Sequence, residues 1–463
     1  MNADIKQLLP AFLMAQRWYG EKASPIASIR IEDAGVTGGI QHLIVAVASA
    51  DGGSSRYYVP LLVAADGALA DATQHLEYHH WLTSMARGDD PVAFQTGRLV
   101  WEPSHVPGNG RPKIEGPARV LAVEQSNTSL RFGEAVLVKI LRRLQPGVNP
   151  EIELTKFLTE RTEFRNAPAL LGALTYAPDD GEEVAIGVAQ SFVPSISDGW
   201  TAILSDLTGI QRTPESARAA ATTRSHQRIR QLGRRTAELH LAFSSDPSTP
   251  EMAPEAIAQT DADQWKSGFG RLLERVSTSL QHPRPGETGL DELRHAFVVS
   301  QARLIERVAG FDRLVGIAKI RVHGDYHLGQ TLLTHDDDWV LVDFEGEPRR
   351  PLRERRAKTS PLKDVAGMLR SFSYARGTAA RAGDSTGGAD LIDWERGARA
   401  AFLDGYLSAA RVGKAGFLPG DDENFRLALE TWELDKAIYE IDYELNNRPD
   451  WLWLPLAAAL KFV

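Results

Sequence analysis

The sequence predicts an α+β fold of more than one domain, and three observations carry that prediction. Short runs alternating β-branched or aromatic residues with polar ones, divided by glycine-rich turns, fill much of the chain as far as Val193. From Glu215 onward, apolar residues recur at intervals of three and four, the helical period. One β-rich island, Ile320 to Asp343, interrupts the helical part and holds the chain's clearest catalytic constellation. At 463 residues the chain is too long for one compact core. The expected division is a small α+β unit over residues 1–95, a β-rich lobe over 96–199 and a helical lobe over 200–463.

The elements follow in order. Asp4 to Trp18 reads as a short amphipathic helix ending near Gly20. Strands are expected at Ile26–Ile31, His42–Val47 and Arg56–Val63, with turns at Gly38-Gly39 and Gly52-Gly53, and Gln74 to Met85 is helical in pattern. Ala118–Glu124 and Ala135–Leu141 read as a hairpin pair around Ser126-Asn127-Thr128-Ser129. Pro150 opens a helix with Glu151 and Glu153 in its first turn, where a missing N–H and negative charge both suit a helix start. Val184–Val193 is a further strand, and the cluster from Pro194 to Gly199 signals a loop.

In the helical part, Ile229, Leu232, Thr236, Leu239 and Phe243 mark one long helix, and a second is expected around Leu290–Val308. The island supplies strands Ile320–His323, Thr331–Leu333 and Trp339–Asp343. Helices return from Pro361 to Leu460, with loops expected at Asp246–Glu255 and Gly377–Gly388.

Composition narrows the function. Hydrophobic residues at 43% and charged residues at 24% are ordinary for a globular protein. A net charge of -9 disfavours a nucleic-acid partner. The absence of cysteine excludes disulfides, thiolate metal sites and a cysteine nucleophile. Met1 to Leu13 lacks a signal-peptide pattern. The apolar stretch Trp451–Leu460 is far shorter than the roughly 20 residues of a membrane span. A cytoplasmic protein without a membrane partner is expected.

The island reads His323-Gly324-Asp325-Tyr326-His327-Leu328-Gly329-Gln330, then Asp343-Phe344-Glu345-Gly346. Phosphoryl transfer from ATP needs a carboxylate to orient and deprotonate the attacking hydroxyl, ligands for Mg2+, and a cation on the phosphates. Here Asp325 sits in a loop, the amide of Gln330 follows five residues later, and Asp343 ends the next strand. That order of catalytic Asp, metal amide and metal Asp is the protein-kinase arrangement. Each residue alone has a blander reading, as a turn cap, a surface amide or a polar strand end. The combination flanking one hairpin points to a kinase, with Asp325 catalytic and Gln330 and Asp343 as metal ligands. His323 is expected to pack and bond the loop backbone. His327 either touches substrate or shapes the loop. Glu345 is either an extra oxygen ligand or a brace for the loop.

Lys139 lies in the apolar strand Val136-Leu137-Val138-Lys139-Ile140. A lysine there is costly to bury without a partner, and Glu153 in the following helix can supply one. Together they match the Lys–Glu pair that orients ATP phosphates, against the alternative of a strand-edge lysine reaching solvent. No glycine-rich GxGxxG or Walker A lysine motif precedes it. Ser126, Asn127, Thr128 and Ser129 occupy the expected phosphate turn, where hydroxyls and backbone amides can replace glycine amides. Backbone groups near Gln190 and Val193 are the expected adenine contacts.

With those motifs in view, the chain resembles the bacterial maltokinases, relatives of the aminoglycoside phosphotransferases and eukaryotic-like kinases. The resemblance rests on His323 to Gly346 and on Ser360-Pro361-Leu362-Lys363-Asp364-Val365-Ala366-Gly367-Met368-Leu369-Arg370-Ser371. It extends to Gln16-Arg17-Trp18-Tyr19, Gln125 to Ser129, Leu232 to His240, Trp432 to Glu440 and Arg448-Pro449-Asp450-Trp451. It implies a bilobal kinase-like fold with an N-terminal cap subdomain, an intermediate β-rich subdomain and a helical C-lobe. It also implies ATP and Mg2+ as cofactors, phosphorylation of maltose to maltose 1-phosphate for α-glucan synthesis from trehalose, and trehalose synthase as a companion enzyme. In the family the sugar lies against a late helix, which here carries Lys436, Tyr439 and Tyr443, spaced to share one face. Packing into the core is the alternative role of that face. Asp364 is expected to anchor the catalytic-loop backbone. Close relatives act on glucosamine or other sugars, and their ATP chemistry would look the same.

Overall fold

The computed structural model describes residues 3–106, 112–121, 126–282, 289–382 and 388–463. The chain forms two compact units, Met1–Val193 with Arg350–Leu352, and Pro194–Arg349 with Arg353–Val463.

The strands of the first unit are β1 (Ile26–Thr37), β2 (Ile40–Ser49), β3 (Ser54–Val63), β4 (Leu69–Asp71), β5 (Val92–Ala93), β6 (Gly97–Pro103), β7 (Ala118–Leu121), β8 (Asn127–Phe132), β9 (Val136–Leu141), β10 (Arg143–Leu144), β11 (Leu170–Pro178) and β12 (Val184–Ser191). Its helices are α1 (Ala3–Ala15), α2 (Leu76–Arg87) and α3 (Pro150–Arg161). Among the described residues they form two sheets. One runs β1-β2-β3-β10 with β4 on β3, the other β5-β6-β11-β12-β9-β8-β7.

Alternation along β2 explains the packing of the first sheet. Leu43, Val45 and Val47 pack with Ile5, Leu9 and Leu13 of α1, while Ile40 and Ile44 join Tyr58 and the α2 residues Trp81 and Met85. Each such buried side chain stabilises the unit by roughly 1.5–3 kcal/mol. β9 runs on through Arg142 into β10, so this extended stretch belongs to both sheets. Lys139 pairs with Ser129 and Val188, and Arg143 pairs with Tyr57.

The second unit is mostly helical. After β13 (Ser197–Asp198) come α4 (Gly199–Arg212) and α5 (Glu215–Phe243), then β14 (Glu255–Ala256), α6 (Gln259–Gln281), α7 (Asp291–Val299), α8 (Gln301–Glu306) and β15 (Ala318–Lys319). The hairpin β16 (Thr331–Leu333) and β17 (Trp339–Leu341) follows, with Thr331 opposite Leu341. A single turn, α9 (Leu352–Arg355), then precedes α10 (Leu362–Ala382), α11 (Gly388–Val412), α12 (Asp422–Asn447) and α13 (Trp453–Ala459).

Several expectations need correction. Asn127, Thr128 and Ser129 are not a hairpin turn: they open β8, which lies between β7 and β9. Three alternating strands stand where two were expected, and Ala122–Gln125 lie outside the described residues. The helix expected over Leu290–Val308 is broken at Ser300 into α7 and α8, because Val298, Val299 and Ser300 are weak helix formers in succession. α4 begins inside the expected loop, and Asp198 caps it by accepting from Thr201 N at 2.9 Å. Of the strand expected at Ile320–His323, only an isolated bridge from Ile320 to Thr359 forms. The loop expected from Gly377 is helix to Ala382. Gly377 serves close packing there, since a Cβ would come within 2.5 Å of Leu454, and residues 383–387 lie outside the described ones.

Candidate active site

In the second unit the loop from His323 to Gln330 is held at several points. The Asp364 carboxylate, at the start of α10, accepts from His323 N at 2.7 Å and Gly324 N at 2.9 Å. It also contacts His240 Nε2 at 3.2 Å. Burial alone would push the Asp364 carboxyl up, but His240, His323 and the loop amide outweigh it, and its pKa lies below the ordinary value. The imidazole of His323 meets Val342 O at 2.9 Å and packs on Tyr326 and Phe344, tying the loop to the strand end that carries Asp343. Leu328 N donates to Ser371 Oγ at 3.1 Å.

Asp343 has φ of 69°, a left-handed conformation that is uncommon for a residue with a Cβ. Such strain costs of order 1–3 kcal/mol and collects at functional sites. It turns the carboxylate toward Gln330, whose Nε2 donates to Asp343 Oδ2 at 2.9 Å. The two predicted metal ligands are therefore in contact. Glu345 accepts through its carbonyl from Arg355 Nη1 at 3.0 Å, so it braces this loop. Among the described residues no group of three or more His, Asp or Glu side chains could hold a metal. One carboxylate and one amide carbonyl nonetheless fit magnesium, which usually takes one or two protein ligands and fills its sphere with water and phosphate oxygens.

A cavity of about 610 Å³ opens beside the loop. Asp325, His327, Lys436, Tyr439 and Tyr443 all line it, so the expected acceptor residues are brought together. Lys436 Nζ lies 4.0 Å from Asp325 Oδ1 and 4.7 Å from the centre of the Tyr439 ring. His327 lines the cavity, and its Nδ1 shapes the loop by accepting from Gly329 N at 3.0 Å. Burial first, then nearby Lys436 and His323, lower its pKa despite Asp325 and Asp343.

Sequence reasoning missed the other polar half of this cavity. Arg370 donates to Glu440 Oε2 at 2.6 and 2.9 Å. Tyr374 donates to Glu444 at 2.8 Å, and Arg448 grips the same carboxylate at 2.7 and 3.0 Å. Burial first, then a hydrogen bond to Glu347, raises the pKa of the Tyr439 phenol. A signal existed: Arg370 and Tyr374 are four apart on α10, as Glu440 and Glu444 are on α12, and two such complementary pairs suit facing helices.

In the first unit Lys139 is buried and its Nζ lies 3.1 Å from Glu151 Oε1. Glu153, the partner expected from the sequence, stands with Glu151 in the first turn of α3. Asn149 caps that turn by accepting from Glu151 N and Ile152 N. Gln190 Nε2 donates to the same Glu151 oxygen at 3.1 Å. Gln190 is buried, paired in the ladder with Leu137 and Leu170, and its side chain joins the Lys139–Glu151 cluster. Val193 is partly exposed and lies two residues beyond the end of β12. Thr128 is buried with its hydroxyl accepting from Arg142, Ser129 is buried too, Ser126 is exposed and Asn127 is partly so.

The loop anchored by the buried Asp364, the Gln330–Asp343 contact at a hairpin's end and the strand lysine paired with a helix glutamate are the parts expected of a kinase-like fold. Residues 12–90 match the maltokinase N-terminal cap domain. The chain is 28% identical over 344 residues to a glucosamine kinase of Streptacidiphilus jiangxiensis, covering 73% of this chain and 71% of that protein. It is 28% identical over 341 residues to a glucosamine kinase of Mycolicibacterium smegmatis, covering 73% and 78%. A solved glucosamine kinase in complex with glucosamine, ADP and inorganic phosphate aligns over 100% of both chains, with a TM-score of 0.70 and 23% identity. Another crystal form of glucosamine kinase covers 100% of this chain and 99% of its own, with a TM-score of 0.73 and 22% identity. The full-length alignments show a kinase-like fold, and the cap match covers its N-terminal part. Among the described residues no helix is long and apolar enough to cross a membrane.

Proposed function

We propose that the protein is an ATP-dependent sugar kinase that phosphorylates maltose at its anomeric hydroxyl, giving maltose 1-phosphate. The observation that carries this reading is the cavity in which Asp325 meets Lys436, Tyr439 and Tyr443. Its volume of about 610 Å³ is ample for a disaccharide. Tyrosine rings offer flat faces for a sugar ring, and the surrounding carboxylates and cations offer bonds to its hydroxyls.

Asp325 takes the proton of the acceptor hydroxyl. The freed oxygen bonds to the γ-phosphorus as the bond from that phosphorus to the β–γ bridging oxygen breaks, and ADP leaves with the electron pair. Gln330 and Asp343 would hold Mg2+, which neutralises charge on the phosphate oxygens. Lys139, held by Glu151, is the phosphate-binding cation of the first unit, and groups of Ser126, Asn127, Thr128, Ser129, Gln190 and Val193 are the candidate nucleotide contacts there.

Charge favours a neutral acceptor. The carboxylates of Asp325, Glu347, Glu440 and Glu444 are balanced by Lys436, Arg349, Arg448 and the Arg370 bonded to Glu440. An aminated sugar would add a positive charge to a cavity that is already neutral. The second reading, glucosamine as acceptor, is favoured by the names of the relatives at 28% identity. ADP release with ATP and magnesium over maltose, glucose and glucosamine separates the two. Turnover with maltose supports the proposal, turnover with glucosamine alone replaces it with the second reading, and none with any sugar removes both.

A further inference from the structure

Arg142 is fully buried where β9 leaves one sheet of the first unit and, as β10, joins the sheet of the cap. Its Nη2 donates to both carboxylate oxygens of Asp71, at 3.0 and 2.7 Å, and to Thr73 Oγ1 at 2.7 Å. Its Nε donates to Thr128 Oγ1 at 2.9 Å. The guanidinium lies 4.6 Å over the Trp18 ring, and Trp18 Nε1 donates to the same Asp71 at 3.0 Å. Tyr58 N donates to the Arg142 carbonyl at 2.9 Å. Trp18, Tyr58, Asp71 and Thr73 all fall within the matched cap residues 12–90. Burial alone would raise the Asp71 pKa, but Arg142, Thr73 and Trp18 bring it below the ordinary value, so the pair is ionic.

A buried ion pair is a poor way to stabilise a fold. Stripping water from both groups cancels much of their attraction, and well-packed apolar residues of the same volume often do as well or better. What such a pair can supply is register, because few placements satisfy both partners at once. Here the register is that of β8 and β9. Arg142 continues β9 through its own backbone and holds β8 through Thr128, and in the ladder Thr128 pairs with Ile140 and Ser129 with Lys139. The cap thus grips two neighbouring strands, one leading from Ser126 and Asn127 and the other carrying Lys139.

We infer that Arg142, clamped by Asp71 of the cap, is a positioning residue for nucleotide binding, and that the cap serves to set β8 and β9 so that Lys139 meets the ATP phosphates. The inference rests on the reading of Lys139 as the phosphate-binding cation. Misplacing such a group by a fraction of an ångström is felt in affinity and turnover although no ligand contact is removed.

The test uses the full-length chain, Mg–ATP binding by calorimetry and thermal unfolding. Asp71→Asn keeps the shape and removes the charge; Thr73→Val leaves the ion pair and removes the hydroxyl that accepts from Arg142 and donates to Asp71, each at 2.7 Å. Asp71→Asn is expected to weaken Mg–ATP binding about tenfold or more, and Thr73→Val by less in the same direction, both in folded protein. Should Asp71→Asn fail to fold, Thr73→Val decides by the same comparison. Lower melting temperatures with wild-type Mg–ATP affinity would mean a merely structural clamp and overturn the inference. Lys139→Ala is the control. Wild-type affinity in that variant overturns the reading of Lys139 itself, a separate outcome because the clamp is left intact.

Discussion

Asp325 and Tyr439 line one cavity but carry different parts of the proposed reaction, and substitution separates them. Asp325→Asn keeps the size and polarity of the side chain and removes the base. Turnover is expected to fall roughly a hundredfold or more, while Mg–ATP affinity by calorimetry stays near that of the wild type. Turnover within a few-fold of wild type would take Asp325 out of the reaction. Tyr439→Ala removes a ring beside Lys436 and the hydrogen bond to Glu347. Its KM for the sugar should rise far more than its KM for ATP. A lower melting temperature with both KM values unchanged would make Tyr439 a packing residue only.

At the scale of elements, the hairpin β16–β17 positions Gln330 before its first strand and Asp343 after its second. Arg235 on α5 pins its turn, with Nε donating to Asp338 Oδ1 at 2.9 Å, and Gln231 and Trp339 N donate to the same carboxylate. Burial would raise the Asp338 pKa, but these bonds, Arg235 foremost, bring it down to about 2. Because that value lies below the roughly 3.9 of an unfolded Asp, the stabilisation is fully present above about pH 4 and is lost as pH falls through about 2. Asp338→Asn should therefore cost up to about 2 kcal/mol at pH 7, less whatever solvent screens at this partly exposed site. Thermal unfolding from pH 7 to pH 2 checks it: the gap between variant and wild type should close near pH 2. A gap that persists there would assign the loss to packing.

The same hairpin shows what the sequence made legible. Thr331–Leu333 and Trp339–Leu341 alternate cleanly, and Asp325, Gln330 and Asp343 keep a spacing that a short hairpin between the last two satisfies. The charged cavity wall was not legible in that way. Glu440, Glu444, Arg370 and Tyr374 lie on helices distant in sequence, and each alone reads as an ordinary polar position on an amphipathic helix. β8 was misplaced because its hydroxyl-rich start, Asn127-Thr128-Ser129, has turn composition; the burial of Thr128 against Arg142 depends on a contact with the cap that no local pattern encodes.

On the scale of the whole molecule, one compact unit holds the cap and the Lys139–Glu151 pair, and the other holds the loop from His323 to Gln330, the Gln330–Asp343 contact and the cavity lined by Asp325. The account makes these parts one sugar kinase acting on an anomeric hydroxyl. That claim has a chemical signature, because phosphorylation at the anomeric position removes the reducing end, whereas phosphorylation at any other hydroxyl preserves it. The most direct measurement incubates the full-length chain with maltose, ATP and magnesium and follows ADP and reducing ends in the same samples. The account predicts that one reducing end disappears for each ADP formed. ADP formed with the reducing ends intact, or formed with glucosamine and not with maltose, would contradict it.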